Sequence, residues 1–397
     1  MAPKEHDSKG HRRVKCLACE TEGKGDNWFH QLAVHLSSAH KINVEQYTAS
    51  YPGALTISRY SSRQASKGQK KSAKGTSVKA AAAAAPVDGL CFGHATLFIR
   101  DGLGDIDQAL VPAHDDRFII DETVLEEIAM GIEDSDNVLI VGPTGSGKTT
   151  TVEELGAIIN QPVKVQNLRG DIRSSAFVGK LVATVDEEGN PCTRYQAGIL
   201  PQAMKRGWWL LLDELDAAPA AILFTLQRVL THRQLVMDED GDGKVIEAHP
   251  DFRIIATANT LGRGDDSGLY TGTNVLNEAF LDRFGTVIEH KYLGNGKHGT
   301  SLSDSDNEVQ VVRGKSGLDL ATTKKLISVA RIVREAVDRE ECYCTFSTRR
   351  LIAWAGKCVR MKGNVQRAAK ITFMNKLGTD DRAFVKGICQ RVIGGKW

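Results

Sequence analysis

The chain has 397 residues, enough for two or more domains and a full-sized hydrophobic core in at least one. Its 41% hydrophobic and 25% charged residues are ordinary soluble values, and a formal net charge of +2 excludes an overall bias toward nucleic acid or membrane, so any such affinity must be local. Met1 to Gly10 lacks the apolar core of a secretion signal, and no run approaches the roughly 20 apolar residues of a membrane span; the expectation is a cytoplasmic chain without membrane contact. In that setting eight cysteines read as thiols or metal ligands rather than a disulfide framework.

The first module is 15–52. Cys16-x-x-Cys19 is followed by His35-x4-His40, which puts two thiolates on a tight turn and two imidazoles about one helical turn apart, a donor set suited to tetrahedral Zn²⁺. Trp28, Phe29, Leu32 and Leu36 would form the small core of such a finger. The fifteen residues between Cys19 and His35 exceed the usual dozen or so, and His30-x4-His35 remains a rival pair with a shorter gap. The stretch from His35 to Pro52 resembles the zinc finger of Ros/MucR-type bacterial regulators, which favours His35 and His40. Residues 53–87 follow as a flexible basic linker: from Ser58 to Pro86 there are seven Lys and Arg, no acid, and the run Ala80 to Ala85. Such a segment buries too little apolar surface to offset its ordering entropy. It reads equally as a solvated tether and as a strip for phosphate backbones.

The globular part is expected over 88–293. Asn137 to Val141 is a short apolar run rich in β-branched residues, the pattern of a buried strand. Directly after it stands Gly142-Pro143-Thr144-Gly145-Ser146-Gly147-Lys148-Thr149-Thr150, a complete G-x-x-x-x-G-K-[ST] loop, and then a segment with helical spacing. Gly145 and Gly147 let successive amides turn inward at the positive end of the following helix; Lys148 can reach the β- and γ-phosphates of ATP, and the Thr149 hydroxyl can hold Mg²⁺. Trp209 to Leu212 is a second apolar strand, ending in Asp213 and Glu214. Asp213 would join the Mg²⁺ shell and Glu214 would act as base toward water. Further strands are expected at Val163 to Val165, Arg253 to Ala258 and Thr286 to His290. Apolar strands alternating with helical segments predict an α/β fold, a parallel sheet covered by helices on both faces.

Ile254 to Asn259 ends in an amide able to touch both a γ-phosphate and an attacking water, which resembles the sensor 1 position of AAA+ ATPases. Arg283, in Leu281-Asp282-Arg283-Phe284, could project into a neighbouring subunit as an arginine finger; the plainer alternative is an ion pair with Asp282 or Glu278. Phe346-Ser347-Thr348-Arg349-Arg350 opens a helix where the family's sensor 2 arginine stands, with Arg349 the better fit and Arg350 the fallback. Residues 294–317 read as a polar loop and 318–397 as a helical lid.

Arg194 to Pro201, Phe224 to Leu230, and above all His249 to Thr260 with Gly268 to Thr273 and Asp282-Arg283, resemble CobS, the AAA+ subunit of cobaltochelatase. The likeness runs from about Leu110 to Leu293 and, more weakly, through the lid. It implies a ring, usually a hexamer, of the MoxR and magnesium-chelatase group, working with a von Willebrand factor A partner. It also implies an insertion over 176–196 and a β-hairpin over 234–249 with Asp240-Gly241-Asp242-Gly243 as its turn. The chain carries no D-x-S-x-S metal-adhesion motif, so that partner would be a separate chain. The zinc finger and basic linker depart from the chelatase pattern.

The leading reading is a CobS/MoxR-like remodelling or chelatase motor using ATP and Mg²⁺. The alternative is a motor recruited to nucleic acid by finger and linker, and a third reading makes the finger a protein adaptor. Because metal binding free energy is folding free energy in so small a module, metal analysis of the purified chain is expected to return about one zinc per chain. Cys16→Ser should abolish it; a metal-free protein would remove the finger from the account.

Overall fold

The computed structural model describes residues 14–15, 28–29, 89–168, 172–186, 189–237, 244–260, 274–293 and 302–397. The chain forms two compact units, Met1–Cys91 and Phe92–Trp397. In the first, Val14–Lys15 pairs antiparallel with Trp28–Phe29. The expected zinc ligands Cys16, Cys19, His35 and His40, the rival His30, and the basic linker 53–87 all lie outside the described residues. Among the described residues no cluster of three or more His, Cys, Asp or Glu is arranged for a metal ion. Nor is any helix among them long and apolar enough to cross a membrane.

The second unit is built on five parallel strands: β1 (Val138–Val141), β2 (Val163–Asn167), β3 (Trp209–Asp213), β4 (Arg253–Ala258) and β5 (Thr286–Glu289). Their spatial order is β5-β1-β4-β3-β2. Every residue of β1 and β4 is buried, as a central strand covered on both faces requires. The register sets Ala258 beside Val141 and Ala256 beside Leu212. One edge of the sheet therefore gathers whatever follows β1, β3 and β4.

Helices α1 (Glu122–Glu133), α2 (Lys148–Ile158), α3 (Ile199–Arg206) and α4 (Ala220–His232) accompany the sheet. Asp121 caps α1 by accepting from the amides of Thr123 and Val124. One face of the sheet, with Leu139, Leu210 and Ile254, packs into a core with Ala203 and Met204 of α3 and Ile222 and Leu226 of α4. Two antiparallel hairpins leave this body. Gly179–Val185 with Pro191–Ala197 falls in the expected insertion. Gln234–Met237 pairs with Lys244–Glu247, while the expected turn, Asp240 to Gly243, lies outside the described residues.

The lid comprises α5 (Asn307–Ser316), α6 (Leu320–Asp338), α7 (Thr348–Arg360), α8 (Val365–Thr372) and α9 (Thr379–Ile393). Helix α5 corrects the expectation of a loop over 294–317. Its exposed face, Asn307, Gln310, Arg313 and Gly314, gives the segment its polar look, while Val309 and Val312 enter the lid core and Asp306 caps the first turn. That core centres on Phe346, Trp354 and Phe373, with ring centroids 4.9 to 6.1 Å apart.

Against it lies a charged pair. Glu308 on α5 is fully buried and accepts from Arg334 of α6 at 2.8 and 3.2 Å and from the Thr348 hydroxyl at 3.2 Å. Removing one member strands a buried charge, so Glu308→Ala is expected to destabilise the lid by about 3–5 kcal/mol. Thermal unfolding should then show an early lid transition. Glu308→Leu combined with Arg334→Met should recover most of the loss, since a well-packed apolar pair restores what the ion pair contributed.

Candidate active site

The loop between β1 and α2 is shaped by two glycines in particular. A Cβ at Gly142 would sit 2.0 Å from the His290 carbonyl oxygen, so the loop can leave β1 only at a residue without a side chain. Gly147, the N-cap of α2, has φ of 112°, a left-handed turn that aims the first helical amides into the loop without any side-chain cap. Ser146 is buried and its hydroxyl has no partner among the described residues. Uncapped amides and an unsatisfied hydroxyl around a glycine curl form a cradle whose donors fit a phosphate chain.

Lys148 is 7% exposed and its ammonium donates to the carbonyls of Gly142 (2.6 Å) and Pro143 (3.1 Å) and to Oδ1 of Asn259 (3.0 Å). Burial lowers its pKa to about 8, with the charges of Asp213, Asp216 and Glu214 acting in the opposite sense and Arg349 adding to the depression. On the neighbouring strand end, Oδ1 of Asp213 accepts from the Thr149 hydroxyl at 3.1 Å and also from the Thr257 hydroxyl. Thr149 and Asp213 thus already meet, as residues sharing a Mg²⁺ shell must. Glu214, the next residue, takes a left-handed conformation (φ 59°, ψ 50°), a backbone position that costs a non-glycine residue on the order of 1–3 kcal/mol and turns the chain sharply at the sheet edge.

Asn259 is brought to this group by β4. From the lid, the Cβ positions of Ser347 and Arg349 stand 2.8 and 3.5 Å from a Cβ built on Gly145, so the start of α7 lies on the crown of the loop. Arg350 is placed differently: its guanidinium bonds back to the Thr345 carbonyl and stacks 5.8 Å from the Phe346 ring. Pro143, Thr144 and Thr150 lie within the loop and first turn, partly exposed. Arg283 is not with them. It precedes β5 at the opposite edge of the sheet, where its carbonyl accepts from Asn137, and a four-residue strand spans roughly 13 Å. Its guanidinium donates to the Thr231 hydroxyl and the Ala279 carbonyl, and among the described residues it makes no ion pair with Asp282 or Glu278.

Four neighbours of the loop escaped the sequence reading. Asp216, two residues past Glu214, is fully buried and accepts from the amides of Asn259 and Thr260. The Thr257 hydroxyl donates to Asp213, and its place two residues before Asn259, on the same face of the extended chain, is the signal in the sequence. His290 packs behind the loop with Nε2 3.2 Å from the Thr151 hydroxyl, and burial followed by the Lys148 charge pushes its pKa down. Tyr292 donates to the Thr144 carbonyl at 2.9 Å while Arg334 of the lid lies 4.1 Å over its ring. Nothing in the sequence pattern announces that last contact.

The depressed Lys148 pKa gives a linkage prediction. A bound triphosphate raises that pKa again, so binding near pH 8 and above takes up a proton, and affinity should fall as pH rises through about 8. Calorimetry at pH 8.5 in buffers of different ionisation enthalpy should show proton uptake that is lost at about pH 6.5, where the Lys148 ammonium is already charged before binding.

The model of the AAA domain, dynein-related subfamily, matches residues 137–284, and that of the CbbQ/NirQ/NorQ C-terminal region matches 308–393. The aerobic cobaltochelatase subunit CobS of a Sinorhizobium species is 33% identical over 293 residues, covering 72% of this chain and 84% of that protein. The uncharacterized protein YojN of Bacillus subtilis is 34% identical, covering 44% of this chain and 53% of its own. Among solved structures, a RuvB mutant of Thermotoga maritima aligns over 72% of this chain and 82% of its own at 16% identity, with a TM-score of 0.41. An identity of one residue in three, sustained over most of the length of CobS, places the loop, the acid-ended strand and the lid in one lineage: the chain belongs to the CobS/MoxR-type AAA+ ATPases, a family that implies ATP and Mg²⁺.

Proposed function

We propose that this chain is an ATP-hydrolysing motor that assembles into a ring, in the family's manner a hexamer, and uses the ATP cycle to remodel a partner or to drive metal-chelatase-like chemistry. The observation that carries the reading is the gathering of Lys148, Asp213 and Asn259 on one sheet edge, bonded to one another or to Thr149, with the Arg349 backbone over the loop. Lys148 and the loop amides hold the phosphate chain. Thr149 and Asp213 would hold Mg²⁺, which supplies charge neutralisation to the β- and γ-phosphates. Glu214 takes the proton of the attacking water as the new P–O bond forms and the bond to the β,γ-bridging oxygen breaks, giving ADP and phosphate. Asn259 orients that water, and Arg349 follows the nucleotide from the lid.

Arg283 fits this scheme from a neighbouring subunit. Its edge of the sheet faces away from its own loop, and no carboxylate among the described residues claims it. A separate von Willebrand factor A chain is the expected partner, by relation to CobS. The reading of a motor recruited to nucleic acid rests on the finger and linker, which lie outside the described residues.

Glu214→Gln is expected to bind ATP normally and to lose turnover by at least about a hundredfold, whereas Lys148→Ala loses binding itself. Mixing gives the assembly test. Lys148→Ala chains keep Arg283, and Arg283→Ala chains keep an intact loop, so co-assembled rings should regain ATPase activity that neither variant has alone. Rings that demonstrably mix and stay inactive would remove Arg283 from the mechanism.

A further inference from the structure

We infer that Asp216 is a positioning residue for hydrolysis: its buried carboxylate fixes the end of β4 so that Asn259 presents its amide at a set distance from Glu214. The inference rests on the reading of Glu214 and Asn259 given above. Asp216 belongs to the single 3-10 turn Leu215–Ala217 that follows Glu214, so its backbone is rigidly tied to the proposed base. It is fully buried, yet carries a carboxylate, which calls for donors.

Those donors all come from the end of β4. One carboxylate oxygen, Oδ2, accepts from the Asn259 amide at 2.9 Å, the Thr260 amide at 3.1 Å and the Thr260 hydroxyl at 3.2 Å. Oδ1 is buried without a partner among the described residues. If the carboxylate served packing alone, an apolar side chain would fill the space without the cost of burying a charge. A charged acceptor holding three donors on one oxygen instead gives a short, strong and directional clamp.

The geometry explains what the clamp is for. Asn259 is the first residue beyond β4, and its register neighbours no longer hold it: the last pairing of β4 with β1 is Ala258 with Val141. Beyond that pairing, among the described residues, the Gly142 amide donates to the Ala258 carbonyl at 3.2 Å and the Asp216 carboxylate holds the next two amides, of Asn259 and Thr260, so it is the main hold on the backbone from which the Asn259 side chain reaches Lys148. The main-chain carbonyl of Asp216 accepts in addition from the Asn274 amide at 2.6 Å, a link that survives any change of the side chain. The substituted chain thus keeps its turn and loses the clamp.

The experiment is a kinetic cycle in the full-length protein, with ATP as substrate and a fluorescent ATP analogue for affinity. Asp216→Ala should lower kcat on the order of 10- to 100-fold, the loss of charged hydrogen bonds to a catalytic strand, while the analogue's Kd changes by a clearly smaller factor, through the lost support of the Lys148 charge. Asp216→Asn keeps the shape and one neutral acceptor and should fall between; it carries the test if the alanine variant does not fold. In an Asn259→Ala background either substitution should cost less than about threefold more, because the group it positions is gone. Losses that multiply in the double variant, an unchanged kcat in both single variants, or a loss confined to KM would each overturn the assignment. Failure of the underlying reading would appear separately, as wild-type turnover by Glu214→Gln and Asn259→Ala.

Discussion

The placement of one ammonium group governs this site. Lys148 is carried into a nearly closed space by the first turn of α2, and nothing apolar could hold it there at a tolerable cost. Two backbone carbonyls and the Asn259 amide oxygen satisfy its three donors, while the surrounding acids Asp213, Asp216 and Glu214 offset part of the desolvation. Those groups come from three strand ends: Gly142 and Pro143 follow β1, Asp213, Glu214 and Asp216 lie at or just past the end of β3, and Asn259 follows β4. The lysine can be charged in the interior only because the sheet delivers them together, and the sheet's register is thereby coupled to the electrostatics of the site.

A second coupling runs from the loop to the lid. Tyr292 holds the Thr144 carbonyl with its hydroxyl and offers its ring to Arg334, whose guanidinium also donates to the Phe346 carbonyl and pairs with Glu308. Glu308 in turn accepts from Thr348, the residue before Arg349. A shift of the loop carbonyls therefore meets a chain of buried polar contacts ending at the helix that carries Arg349. Such contacts are directional and have few alternative partners in the interior, so they tie the loop to the helix that carries Arg349.

The lid also shows how a charged cluster can hide a structural element. Glu308, Arg331 and Arg334 carry charge, yet all three are buried between α5, α6 and α7. Asp306 caps α5 and pairs with Arg331 at 2.8 Å, so the first turn of this helix is fixed by the same charges that made it look like a loop.

The glycine-rich loop, the two acid-ended or amide-ended strands and the parallel sheet were legible because their signals are local: an apolar run needs a sheet, and a G-x-x-x-x-G-K-T turn has few other uses for its glycines. Family likeness added the lid arginines, with Arg349 the better fit and Arg350 the fallback, but the geometry behind that preference is not written in the sequence. In the structure the Arg349 Cβ stands 3.5 Å from a Cβ built on Gly145 while the Arg350 guanidinium turns back to the Thr345 carbonyl, because the docking angle of α7 decides which residue of its first turn meets the loop. The same holds for Asp216, His290 and Tyr292, whose partners are dozens of residues away or more and are set by strand register and helix packing. Sequence determined what chemistry each strand end could carry. Three-dimensional packing alone decided which of those ends, and which buried polar groups behind them, stand within hydrogen-bonding distance of Lys148.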